Sequence, residues 1–185
     1  MARIALDIDS TLHHYWDLLE RIAEERFGVA LPYTEQRDWG TALERDAMIR
    51  VIEETHSDAN IEAGVPYPGA VETVRRWHDE DGHWIHVTSH RRGSTAAATA
   101  RWLEAIGLPY DDLHCSFDKI SRCVELGIHV LVDDSPVNIA RAHDTGIVAA
   151  TIVHPWNEHL VGDPAIGGAD WEDLAKNLEP VLRRL

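Results

Sequence analysis

From residue 66 onward, short apolar runs alternate with amphipathic stretches, and that order leaves few folds open. The runs are "HWIHVTS" (83–89), "LHCSF" (113–117), "HVLVDD" (129–134) and "IVAATIV" (147–153). Between and after them lie helical patterns over 68–80, 94–107, 135–146 and about 170–184. Ser94 and Ser135 sit at N-cap positions, and Gly107 and Gly146 stand where helices stop. Such alternation predicts an α/β fold, a Rossmann-like parallel sheet with helices on both faces. "RIALDI" (3–8) reads as a further buried strand of the same sheet. Residues 13–65 interrupt the pattern with helices at 14–27 and 41–56. They are expected to form a small helical cap inserted after the first strand, leaving 1–12 and 66–185 as the α/β core. "VPYPG" (65–69) and the residues after Thr11 are the expected hinges. The tail between Pro155 and the last helix reads as loop. Hydrophobic residues make up 44% of the 185, enough to fill a core.

Parallel sheets bind ligands at the carboxyl ends of their strands. Four segments deliver polar groups to that edge. The first strand ends in Asp7 and Asp9. The strand at 83–89 ends in Thr88 and Ser89, followed by His90, Arg91 and Arg92. Lys119 follows the weak strand at 113–117, and Asp133 and Asp134 end the strand at 129–134. Any one of these is a turn former, a cap or a solvated side chain. Their joint arrival at one edge is the signal. Clustered carboxylates repel and raise one another's pKa, so the arrangement calls for positive charge. A hard cation with oxygen ligands supplies it, and Mg²⁺ is the usual choice beside phosphate. An aspartate next to such a cation can attack phosphorus, and a second acid can protonate the leaving oxygen.

In these four segments the chain resembles the haloacid dehalogenase superfamily of phosphatases. The matching motifs are "DIDST" (7–11), "VTS" (87–89), Lys119 and "VDDSP" (132–136). The resemblance implies Asp7 as the nucleophile and Asp9 as the general acid/base, whose backbone carbonyl contacts Mg²⁺. It implies Thr88 and Ser89 as phosphate contacts, and Lys119 as the partner of Asp7 and phosphate. Asp7, Asp133 and Asp134 would complete the metal site, with the direct ligand of the last two left open. Within the superfamily, "YPGAVETVRRWHDEDGHWIHVTS", "VDDSPVNIARAHDTGI" and "HPWNEH" look most similar to the 5'(3')-deoxyribonucleotidase group. There, aromatic residues after the first motif stack on the base, which makes Tyr15, Trp16 and Trp39 substrate-binding candidates. Packing of the inserted helix is the competing reading for Tyr15 and Trp16, and with seven tryptophans in the chain many must simply be core. Ser10 stands where glycine is common, and His13 and His14 are given no special role.

The expected activity is therefore hydrolysis of a phosphomonoester, with a nucleoside monophosphate as substrate. A sugar phosphate or similar metabolite is the alternative. A phospho-accepting receiver and an inactive binding protein fit less well. A formal charge of −15 argues against a nucleic-acid polymer as partner. Cys115 and Cys123 match no disulfide framework, and neither a leader nor a membrane span is apparent, so a cytoplasmic protein is expected. Oligomeric state is not legible.

Overall fold

The computed structural model describes residues 1–37 and 43–185. Six parallel strands form one sheet in the order β3-β2-β1-β4-β5-β6. They are β1 (Arg3–Leu6), β2 (Trp84–Ser89), β3 (Asp112–Cys115), β4 (Val130–Val132), β5 (Val148–Ile152) and β6 (Ala165–Gly168). After β1 come α1 (Tyr15–Phe27), α2 (Arg45–Thr55) and α3 (Asp58–Glu62). The remaining helices are α4 (Ala70–Arg75), α5 (Ala96–Ala105), α6 (Lys119–Glu125), α7 (Pro136–Asp144) and α8 (Trp171–Leu182). The helix at 68–80 thus begins as α4 and widens into a π turn, in which the Asp81 amide donates to the Arg76 carbonyl at 3.0 Å. The stretch at 41–56 becomes α2, and a separate short α3 follows it. Residues 41 and 42 lie outside the described residues.

Strand alternation sorts the core onto two faces. Ile4 and Leu6 point into a large apolar cluster with Trp77, Trp102, Trp171 and Leu178, under α4, α5 and α8. Ala5 points the other way, into a smaller cluster with Ile120, Ile139 and Ala142 under α6 and α7. A third cluster joins Tyr15, Trp16, Leu19, Ile22 and Val51 of the inserted helices to Trp156, which follows β5.

β6 falls in the tail that reads as loop. Its sequence "AIGG" lacks the β-branched run that marks a strand. The glycines are required by close approach: a Cβ on Gly168 would overlap the backbone of Leu174, and one on Gly167 would lie 2.7 Å from Val161. That lets α8 press directly on the edge strand.

The insertion leaves and rejoins the core at one point. His14 N donates to Val65 O and Tyr67 N to Leu12 O, both at 2.8 Å, and His13 bridges to Pro66. Both expected hinge segments meet here as a short backbone ladder.

His86, in the middle of β2, is fully buried. Neither ring nitrogen has a hydrogen bond among the described residues, although Asp112 Oδ2 lies 3.1 Å from Nδ1. Burial pushes this imidazole down to about 4, with Asp112 opposing. The unfolded chain takes up a proton near pH 6.5 while the fold refuses it. Stability is therefore retained above 6.5 and lost as pH falls toward 4. His86→Leu should flatten that slope, sparing on the order of 2 kcal/mol between pH 7 and pH 5. Urea unfolding at both pH values checks this; equal slopes for the two proteins would refute it.

Candidate active site

Register builds the site. Leu6 pairs with Val132 on one side and Val87 on the other. One residue further along, Asp7 therefore lies beside Asp133 and beside Thr88. The Asp7 amide still donates to Val132 O at 2.9 Å, and the Asp133 amide to Ala150 O at 3.0 Å, so both carboxylates leave from pinned backbone. β1 and β4 are the neighbouring strands on either side of which the chain winds in opposite directions, the usual ligand crevice of such sheets.

Lys119, the first residue of α6, is buried, and its Nζ donates to Asp7 Oδ1 and, at 2.7 Å, to Asp133 Oδ2. Asp133 also accepts from Ser135 N at 2.9 Å and from Asn138 Nδ2 at 3.1 Å. Asp134 Oδ2 accepts from the Trp156 indole at 3.0 Å. Carboxylate oxygens of Asp7, Asp133 and Asp134 lie within 4.8 Å of one another.

The charges there do not balance. Three buried carboxylates face one ammonium. Burial pushes Asp7 up to about 7, Lys119 opposes this, and Asp133 and Asp9 add to it. Burial, Asp7 and Asp133 hold Asp134 well above the carboxylate range. Burial works against the charge on Lys119, but Asp133 and Asp7 keep it above the ordinary lysine value. An all-oxygen set with surplus negative charge fits a hard divalent cation. Among the described residues one donor, the Trp156 indole, reaches the Asp134 carboxylate, whereas both oxygens of Asp133 are hydrogen-bonded.

Asp9 has a different environment. Arg91 holds it bidentately, Nη2 to Oδ1 at 2.6 Å and Nε to Oδ2 at 3.2 Å. His13 Nδ1 stands 3.3 Å from Oδ1, and His56 Nε2 3.1 Å from Oδ2. Burial would raise this carboxyl, but Arg91 and the two imidazoles hold it well below the usual range. Arg91 is itself 1% exposed and donates to Thr99 Oγ1 at 3.2 Å. Sequence reasoning brings Arg91 to this edge without a role, gives His13 none, and misses His56. Arg91 follows the end of β2, which is a usable signal. His56 comes from the end of α2, 47 residues from its partner, and nothing in the sequence announces it.

A cavity of about 280 Å³ opens over this cluster, lined by Asp7, Asp9, Lys119, Asp134, Tyr15 and His56 among others. Thr88 and Ser89, at the end of β2, are not among the residues that line the cavity; both are buried, with hydroxyls that have no hydrogen-bond partner among the described residues. Tyr15 borders the cavity, and its hydroxyl is 2.8 Å from Thr55 Oγ1. Trp16 packs instead against Trp156, ring centroids 5.0 Å apart, and its indole donates to Leu31 O. Trp39 lies outside the described residues. Ser10 takes φ 61°, the left-handed region that explains why glycine suits the position. Among the described residues, no helix is long and apolar enough to cross a membrane.

No family model matches the chain. It is 24% identical to a Chlorobaculum tepidum protein described as a "Putative 5'(3')-deoxyribonucleotidase", over 92% of this chain and 87% of that one. Among solved structures, a HAD family hydrolase from Deinococcus radiodurans with bound phosphate and sodium superposes with a TM-score of 0.69 at 17% identity, covering 98% and 97% of the two chains. CbbY from Rhodobacter sphaeroides, in complex with phosphate, gives 0.64 at 16% identity over 94% and 96%.

Proposed function

We propose that this chain, which has the haloacid dehalogenase-like hydrolase fold, is a Mg²⁺-dependent phosphomonoesterase acting on nucleoside monophosphates. The observation that carries the reading is Asp7: a carboxylate at a strand end, paired with Lys119, grouped with Asp133 and Asp134, and open to a cavity. The 24% identity to a protein described as a "Putative 5'(3')-deoxyribonucleotidase" supports the substrate class. The cavity is of a size for a small ligand, and Tyr15 offers it an aromatic edge.

Asp7, Asp134 and the Asp9 carbonyl would hold Mg²⁺, with Asp133 behind them. When bound, the cation would neutralise phosphoryl oxygens and relieve the repulsion among the carboxylates. An Asp7 oxygen attacks phosphorus, the bond from phosphorus to the leaving oxygen breaks, and Asp9 gives that oxygen a proton. Water then attacks the aspartyl phosphate and passes a proton back to Asp9, releasing phosphate and free Asp7. Clamped by Arg91, Asp9 rests ionised, the form the second step needs; the proton it hands to the leaving oxygen in the first step is taken from the monoprotonated phosphate of the substrate. Thr88 and Ser89 offer hydroxyls to the phosphoryl group, and Lys119 holds charge on Asp7 and the transferring oxygens. Residues 13–65 act as a cap that excludes water during this exchange.

A panel of monophosphates with Mg²⁺, assayed for phosphate release, tests the reading. Nucleoside monophosphates should be turned over with at least tenfold higher kcat/KM than sugar phosphates. Equal or better rates on sugar phosphates would move the assignment to that class. No release from any compound would remove the phosphatase reading.

A further inference from the structure

Trp156 has no part in the chemistry above, yet it touches the acidic cluster directly. Its indole Nε1 donates to Asp134 Oδ2 at 3.0 Å. The ring is 1% exposed and lies in the apolar cluster of the inserted helices rather than under the sheet. One face stacks on His154, centroids 4.5 Å apart and planes 9° apart, and Trp16 of α1 packs at 5.0 Å.

The neighbours fix it further. His154 Nε2 lies 2.7 Å from the Ser10 carbonyl, which only accepts, so Nε2 carries the proton. Nδ1 of the neutral ring then accepts from the Tyr33 hydroxyl at 2.7 Å. Asn157 Nδ2 donates to the Asp134 carbonyl at 3.0 Å, and its Oδ1 accepts from His154 N at 2.8 Å. Residues 154–157 thus grip Asp134 by side chain and by backbone, and grip the turn beside Asp9.

We propose that Trp156 is a positioning residue for the divalent cation: its indole N–H fixes the rotamer of Asp134 and leaves the remaining lone pairs of that carboxylate to the metal. The inference rests on the metal-dependent reading above. Partners that orient a ligating carboxylate typically contribute ~10–100-fold in metal affinity.

The test is calorimetric titration of the whole protein with Mg²⁺, comparing wild type with Trp156→Phe. Phenylalanine keeps an aromatic ring against His154 and Trp16 and removes the N–H. Mg²⁺ binding should weaken about tenfold or more, the melting temperature in EDTA should stay within a few degrees, and the rise in melting temperature on adding Mg²⁺ should shrink. Wild-type affinity in the variant would overturn the inference while leaving the phosphatase reading in place. Absence of Mg²⁺ binding by wild type would overturn both. Should the variant fail to fold, ¹⁵N spectra of the wild type decide. The Trp156 indole resonance should shift as Mg²⁺ saturates the site, and an unmoved resonance refutes the proposal.

Discussion

Asp7→Asn should lose phosphate release by ~10⁴-fold or more and, in EDTA at pH 8, melt at a higher temperature than wild type. The first effect follows from the proposed mechanism, in which an Asp7 oxygen attacks: an amide is no nucleophile toward phosphorus, and members of a catalytic unit each cost nearly the whole rate when deleted. The second follows from the charge imbalance. Asp7 is raised from 3.8 to about 7 chiefly by burial. A carboxyl raised this way costs nothing below about pH 4. It costs progressively more as pH climbs toward 7, and its full amount above that. Asparagine lacks the charge and keeps an oxygen for Lys119. The gain at pH 8 should be on the order of 2 kcal/mol, and the two proteins should converge as pH falls toward 4. Thermal melts across that range read the stability half. A variant no more stable than wild type at pH 8 would show that the cluster is not strained as described.

Lys119→Met should act in the opposite direction on stability. It strips Asp7 and Asp133 of the ammonium that both contact. Surface ion pairs contribute little, but breaking a buried pair leaves stranded charge and costs ~3–5 kcal/mol. Without the lysine the Asp7 carboxyl rises further above its unfolded value. The deficit is therefore largest at high pH and fades as that carboxyl protonates. Melting in EDTA should show a large gap from wild type at pH 8 and a much smaller one at pH 5. Activity should fall ~10²–10³-fold as well, the usual consequence of deleting a charge-stabilising donor. A gap independent of pH would mean that lost packing, not stranded charge, destabilises the variant.

The parallel sheet was legible because each central strand is a short apolar run ending in acid or hydroxyl, and those ends define the ligand edge. Asp7, Lys119, Asp133 and Asp134 could be placed together because each ends or follows a strand, and parallel strands all end at one edge. The edge strand β6 escaped, since two glycines, Gly168 pressed against α8 and Gly167 against Val161, erase the strand pattern. The Asp9 clamp was only partly visible. Arg91 announces itself by following β2, but His56 reaches Asp9 through the tertiary placement of α2, which no local pattern encodes. Trp16 shows the limit of motif spacing. It is one residue from Tyr15, yet helical geometry sends it toward Trp156 while Tyr15 borders the cavity.

The short ladder where Leu12, His13 and His14 meet Val65, Pro66 and Tyr67 has a consequence for how such a protein diversifies. The inserted segment enters and exits through one doorway, so its ends are neighbours in the folded core. Joining neighbouring ends is cheap in chain entropy whatever the length of the excursion between them. The segment can therefore lengthen, shorten or be exchanged with little effect on the register of β1 beside β2 and β4. What changes with it is the wall that faces Asp7. The sheet and α6 set the placement of Asp7, Lys119 and Asp133, while the replaceable excursion reaches the site through its wall and through His13 and His56 against Asp9.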